Sequence, residues 1–495
     1  MPHAPSPEAR GSADRSDPAA GGGAVRLVLF PVLVAILLWP VAWNGDPLGF
    51  PDTEAYYEQG GQVLDRIASL LAPTPPATAG ASAPPEAAEP ETRPVYTIRS
   101  VPFSVIVNAS MRLAGEIGAV LLLAAATAWL VLLAVRDLPP GRAALAGLVT
   151  AGATTLPFYA SQVMADVMAG WLVLIPALLA WRRWGRATTA ALLALVFLAV
   201  ASHYSHVALG LVVIPVLGVA LAVQRRWALA VAAQVPLALA LALNVSVGVA
   251  AGTGMSVAPA RLPVLLARTL ADGPGREYLA ASCPEAGWTL CEIYDGDRPM
   301  PTRVGEALWG PDSIVARSTD AQRRAIAAEE VPFVLAVLRE HPVEQAAALL
   351  RNAAIQLGSI GVGDVRRTEI ELEGHRDLAL SLERIEPDAA IRAMEPVQWA
   401  AVGAGLLGAV LALGAGGTPA RWALGMLALG LLANAAICGG LSAPADRYQG
   451  RVIWALVLLG LALAPTPPPG APSGRMVDRR GRLVRPGARG VGART

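Results

Sequence analysis

The chain of 495 residues contains no lysine, so all 39 of its Lys+Arg positions are arginine. We read this as the imprint of a GC-rich, hence bacterial, genome rather than as chemistry. Charge is scarce as well. Only 16% of residues are charged against 54% hydrophobic, which excludes the usual soluble balance and suits a chain that crosses a membrane repeatedly. Aromatics make up 5%, and no basic patch is interleaved with them. With no zinc-knuckle cysteine spacing either, nucleic acid is not an expected partner. Cysteine is down to three residues. Cys283 and Cys291 lie close together in a hydrophilic region, where an oxidising compartment would let them form a disulfide. Cys438 stands alone in an apolar segment and is expected simply to pack. The net charge of +1 decides nothing; its distribution along the chain does.

Residues 1–23, rich in Pro, Ala, Gly and Ser, read as a disordered cytoplasmic tail. The first apolar segment, Ala24–Trp43, is too long for a signal-peptide core and no small-residue cleavage site follows it, so it reads as a retained span. An outer loop, 44–114, comes next. Its Pro/Ala/Glu stretch Pro73–Pro94 is not expected to order, and apolar Val101–Leu113 reads as a helix lying in the interface. A second span is predicted over Gly115–Val135, and two more within Ala143–Trp181, broken near Pro157. Another pair fills Ala187–Val223, broken at His203, and a seventh span covers Trp227–Ala250. The region 251–396 is hydrophilic, with apolar residues at helical spacing in Arg261–Leu270, Val331–Leu338 and Ala346–Leu357. It reads as a largely helical periplasmic domain. Spans over Val397–Ala415, Trp422–Leu441 and Val452–Pro465 close the apolar part, and 466–495 is a basic cytoplasmic tail. The expected class is therefore an all-α polytopic membrane protein with about ten spans.

The positive-inside rule assigns the sides. With the N-terminus inside, the turns carrying Arg136/Arg142, Arg182/Arg183/Arg186, Arg225/Arg226 and Arg421 fall in the cytoplasm together with both termini. Every cluster of ionisable or metal-capable residues then emerges at the outer face, which points to a site there. The expected location is the bacterial inner membrane.

Four clusters carry the chemistry. Asp46, Asp52 and Glu54 follow the first span, where a carboxylate can take a proton from an acceptor hydroxyl while a lipid-borne substrate lies alongside. Tyr56 and Tyr57 can stack on a sugar or anchor the chain at headgroup level; an ordinary loop with aromatic belt residues is the competing reading. Asp166 stands at the top of the fourth span. A bare carboxylate beside lipid costs roughly 2.5–3.5 kcal/mol at mid-helix, so it is expected to face protein or a wet cavity. It can complete a metal site, hydrogen-bond a substrate, or act as a satisfied helix-end carboxylate. His203 and His206, three apart, share a helical face and can bind zinc with a carboxylate, or a phosphate when protonated; an interfacial turn is the bland alternative. Arg447 and Arg451, four apart and flanking Tyr448, can clamp a phosphate. They can equally snorkel to headgroups or pair with Asp446.

The layout from Gly45-Asp46 through Tyr57, followed by Asp166, resembles the GT-C superfamily of membrane glycosyltransferases, which includes protein O-mannosyltransferases and lipid A aminoarabinose transferases. The segments Ser202–His206 and Asp446–Trp454 are similar to stretches of uncharacterised bacterial relatives with the same layout. The resemblance implies a polyprenyl-phosphate sugar as donor, a glycan, lipid or protein acceptor, and transfer at the periplasmic face with inversion. It implies Asp52 as the base, with Asp46, Glu54, Tyr56, Tyr57, Arg447, Tyr448 and Arg451 on substrate. Asp166 with His203 or His206 would hold a divalent metal ion or the donor phosphate. Two other classes compete: a transporter or flippase for a lipid-linked or anionic solute, and a non-catalytic envelope-assembly protein. A transporter predicts charges deep in the spans and an internal repeat; few such charges and no clear repeat are present.

Overall fold

The computed structural model describes residues 18–71, 99–252, 254–257, 262–294, 299–373, 377–382 and 389–465. The stretch Pro73–Pro94 and the tails 1–17 and 466–495 lie outside the described residues. The apolar runs fold as helices, the one open form in which backbone N–H and C=O groups bond within their own segment when no water is at hand. Helix α1 (Pro18–Leu37) continues into α2 (Trp39–Asn44), and Gly45, at a φ of 98°, ends it. Helices α3 (Thr53–Leu71) and α4 (Val101–Ala114) pack side by side. Then follow α5 (Gly118–Val135), α6 (Pro140–Gly152), α7 (Leu156–Ala160) and α8 (Asp166–Trp181). Next come α9 (Arg186–Ala201), α10 (Tyr204–Val223), α11 (Trp227–Ala232) and α12 (Val235–Ala250).

The hydrophilic region holds seven described helices: α13 (Val264–Asp272), α14 (Pro274–Ser282), α15 (Thr289–Ile293), α16 (Val304–Trp309), α17 (Ile314–Arg317), α18 (Asp320–Glu340) and α19 (Pro342–Gly358). Thr319 opens α18 with a reciprocal capping box to Gln322, which satisfies two amides that the helix itself leaves bare. A core of its own forms around Leu266, Leu270, Leu279, Leu290 and Phe333. Cys283 and Cys291 are joined by a disulfide at its edge. Strands β1 (Thr368–Glu373) and β2 (Asp377–Leu382) make an antiparallel hairpin, with Thr368 opposite Leu382. That hairpin has no counterpart in the sequence reading. Helices α20 (Ala389–Ala415), α21 (Thr418–Ala435, running into a π-helical turn at Ala436–Gly440) and α22 (Asp446–Leu463) complete the bundle.

Six described stretches are long and apolar enough to cross a membrane: Arg26–Asn44, Gly118–Val135, Tyr204–Val223, Trp227–Ala250, Ala393–Ala415 and Thr418–Gly440. This is an α-helical, membrane-embedded chain, with fewer full-length spans than the ten drawn from sequence. The other four differ for two reasons. Helices α6, α8 and α9 have 13, 16 and 16 residues, which at about 1.5 Å per residue fall short of a hydrocarbon layer of about 30 Å. Helix α22 is long enough at 18 residues but begins with Asp446, Arg447 and Arg451. Shortness suits α8, because it meets no lipid. Every residue from Asp166 to Ala180 is buried, enclosed by α5, α9, α10, α21 and α22, so its need is for neighbours rather than length. Helices α20 and α22 approach until backbones touch. A Cβ on Gly460 would fall 1.9 Å from the Gly405 carbonyl oxygen, the close small-residue contact expected where no hydrophobic drive separates helix from lipid.

The two ends of the bundle differ in chemistry. At one end the arginine-bearing turns meet: Arg26 donates to the Arg136 carbonyl, Arg182 pairs with Asp137 at 2.7 Å, and Arg136 lies 4.9 Å over the Trp184 ring. Arg142 donates to the carbonyls of Leu461 and Ala464 there. At the other end stand the acids, the histidines and the hydrophilic region.

Candidate functional site

The first acidic loop is tied to the top of α8 by backbone. Leu48 N–H donates to the Ser161 carbonyl and Val163 N–H to the Leu48 carbonyl, at 2.9 and 2.8 Å. Thr53 Oγ1 donates to the Val163 carbonyl and accepts from Phe50 N–H. These bonds satisfy buried amides, and as a result the Asp52 turn and Asp166 are brought to the same end of the bundle. The hairpin closes over this loop. Asn44 uses its amide oxygen and nitrogen to bond the N–H and carbonyl of Thr368, whose Oγ1 accepts from Gly49 N–H.

Asp166 opens α8 with its side chain 1% exposed. Arg451 Nη1 lies 2.6 Å from its Oδ1 and Arg447 Nη2 3.8 Å from its Oδ2. Both guanidiniums leave α22 on one face, as four-residue spacing requires. Arg451 is as buried as its partner, and its Nη2 also reaches Ser205, Asn434 and Cys438 at 3.3–3.4 Å. Arg447 sits between the Phe50 and Tyr448 rings, 4.1 and 5.1 Å from their centroids, and its N–H donates to Asp364. A buried pair this short is worth having only because further hydrogen bonds replace lost water.

Both arginines pair with Asp166; Arg451 is sealed away from solvent, while Arg447 keeps 12% exposure. His203 and His206 do share a face, with ring centroids 5.3 Å apart. His203 Nδ1 meets Ser205 Oγ at 2.8 Å, and His206 Nδ1 meets the Ala199 carbonyl at 2.9 Å. Asp166, however, faces two guanidiniums, which would repel a divalent cation. Among the described residues no three His, Cys, Asp or Glu side chains gather as a metal site would need. Burial, and then the Arg451 charge, pull the His203 imidazole down to about 3. That direction favours the neutral ring. Within this cluster Asp166 Oδ2 and His206 Nε2 have no hydrogen-bond partner among the described residues.

Asp52 is different in kind. It pairs with Arg99 at 2.8 Å, and the two side chains are 24% and 26% exposed. Arg99 is held by a double bond to Gln59, which accepts from its N–H and donates to its carbonyl. Arg447 lies over the ring of Phe50, two residues from Asp52, so the open pair and the buried one stand at the same end of the bundle. Tyr56 and Tyr57 are buried, with Tyr56 edge-on to Phe103 at 4.9 Å. The Tyr56 ring thus lies in the contact between α3 and α4. Burial first, and Asp52 second, raise the Tyr56 hydroxyl well above its ordinary value. Glu54 is exposed, and Asp46 half-buried with its backbone carbonyl accepting from Asn44. The Asp446 carboxylate accepts from the Gly361 and Gly363 N–H groups.

Sequence reasoning missed Arg99, Asp364, Ser205 and Asn434. Asn434 carried a signal, being a lone amide inside an apolar run, and Arg99 stands one residue before a helix cap at Ser100. No family model, curated protein or solved structure matches the chain.

Proposed function

We propose that the chain is a membrane glycosyltransferase that moves a sugar from a polyprenyl-phosphate donor to an acceptor hydroxyl at the acid-bearing end of the bundle. The observation that supports it most is the gathering of Asp52, Arg99, Arg447 and Asp166 at one end of the bundle, drawn from four separated stretches of chain. Asp52 and Arg99 are the members that solvent reaches. In this reading Asp52 accepts the acceptor's proton, the acceptor oxygen bonds to the anomeric carbon, and the bond from that carbon to the phosphate oxygen breaks with inversion. The lipid phosphate leaves with the electron pair, and its charge is met by Arg99 and Arg447. Asp166 and Arg451 touch no substrate; they hold Arg447 in place. The resemblance to the GT-C superfamily points the same way, and by the positive-inside rule we assign the arginine-bearing end to the cytoplasmic side of a bacterial inner membrane.

Transfer by the purified full-length protein, measured with a radiolabelled polyprenyl-phosphate sugar in nanodiscs, tests the reading. Asp52→Asn is expected to abolish transfer while thermal stability stays near wild type. Full activity of that variant would overturn the assignment, and movement of the intact lipid-linked sugar across the bilayer without transfer would favour a flippase.

A further inference from the structure

The arginine-bearing end holds a groove of about 760 Å³ at the start of α9 and α11, far from the acids. Arg183, Arg186, Arg225 and Arg226 line it with Trp184 and Trp227, and no aspartate or glutamate is among the lining residues. Asp137, the nearby acid, is already shared by Arg136 and Arg182. Arg226 is spent on structure, donating to the carbonyls of Leu179 and Arg182. Arg183, Arg186 and Arg225 are exposed, and none of their guanidinium groups has a hydrogen-bond or ion-pair partner among the described residues. Like charges crowded without a counter-charge repel one another, so this concavity attracts an anion.

The backbone adds a second observation. Arg225 has a φ of 58°, the only positive φ among the described non-glycine residues. It sits where the chain leaves α10, with Arg225 N–H on the Ala222 carbonyl and Arg226 N–H on the Leu221 carbonyl. Glycine is the residue that suits such a turn. Arginine there aims a cation into the groove at a conformational cost that glycine would not incur.

What surrounds the groove identifies the anion's source. Trp227 is 65% exposed, and Val231, Val235 and Leu239 continue from it at 70, 49 and 55% exposed along α11 and α12. That is an apolar track beginning at a tryptophan, the usual mark of the headgroup level. Basic pockets at the ends of membrane helices take phosphate headgroups.

We propose that this groove binds the phosphodiester headgroup of an acidic phospholipid. Arg183, Arg186 and Arg225 meet the phosphate, and its acyl chains lie along Trp227, Val231, Val235 and Leu239. The site is separate from the transfer chemistry and does not depend on it.

Native mass spectrometry of the detergent-solubilised full chain tests this with phosphatidylglycerol, phosphatidylcholine and inorganic phosphate as probes. Wild type is expected to retain phosphatidylglycerol and not phosphatidylcholine. The triple variant Arg183→Gln/Arg186→Gln/Arg225→Gln should bind it about a hundredfold more weakly, about fivefold for each arginine. Arg225→Gly separates binding from folding: it should keep or raise the thermal midpoint while lowering phosphatidylglycerol affinity about fivefold. Equal retention of phosphatidylcholine would overturn the proposal. So would stabilisation by inorganic phosphate matching that by the lipid. Should the triple variant fail to fold, unchanged phosphatidylglycerol affinity in Arg225→Gly would be sufficient to overturn it.

Discussion

Asp166 and Arg451 lie 285 residues apart in sequence and 2.6 Å apart in space, each side chain 1% exposed. Helices α8 and α22 are thereby fixed in rotation, because neither charge can turn toward lipid without losing its partner. Removing one side of such a pair strands the other. Asp166→Asn and Arg451→Met are each expected to destabilise the fold by about 3–5 kcal/mol, read as a drop in thermal midpoint in detergent. The double variant should recover part of that loss, since neither charge is then left alone. A single variant as stable as wild type would show that the pair does not hold the bundle.

The Asp52–Arg99 pair should behave oppositely. At about a quarter exposed it is solvated, and Arg99→Gln is expected to change stability by less than about 1 kcal/mol. In the proposed transferase the same change removes a cation from the leaving phosphate and should lower transfer on the order of a hundredfold. A variant that loses stability but keeps its rate would assign Arg99 to the fold alone.

Asp272, 1% exposed, anchors the hydrophilic region. Arg268 Nη2, Gln345 Nε2 and Asn352 Nδ2 all donate to it, at 2.6, 2.8 and 2.9 Å, and Arg268 also reaches the Ser442 carbonyl of the membrane loop. Asp272→Ala leaves a buried guanidinium and two amides without their acceptor. A loss of about 3 kcal/mol or more is expected, with protease cutting in α13 or α19 well before the bundle melts. Cleavage at the wild-type rate would count against this anchoring.

Acid should reach the site through His203. Its folded value is depressed, so the neutral form is the native one, and the unfolded chain takes up the proton first. The contribution to stability is complete above the ordinary imidazole value of about 6.5 and is lost as pH falls toward about 3. Thermal midpoints followed across that window should fall more steeply for wild type than for His203→Asn. Parallel curves would show that other groups set the acid response.

Much of this was legible in the sequence, and for identifiable reasons. Helix breaks at Pro157 and His203 followed from local chemistry, and so did the grouping of arginine turns at one end. The four-residue spacing of Arg447 and Arg451 correctly put both guanidiniums on one face. Their partner was not legible, because no local pattern announces a contact across hundreds of residues. Asp166 reads as an acid needing company and the arginines as cations needing an anion, but nothing local pairs the one with the other. The β1–β2 hairpin escaped because it is held by Asn44 and Thr368, a pairing with no periodic trace. The burial of Tyr56 and Tyr57 was not legible, because belt aromatics and buried ones have the same composition.

The long separation between Asp166 and its counter-charge bears on how the chain is made. A ribosome that has just delivered α8 into the bilayer must synthesise 285 more residues, including the whole hydrophilic region, before Arg451 appears. During that interval a carboxylate is held in a half-built bundle without its guanidinium. The final helix thus brings the last buried counter-charge to a bundle otherwise already in place.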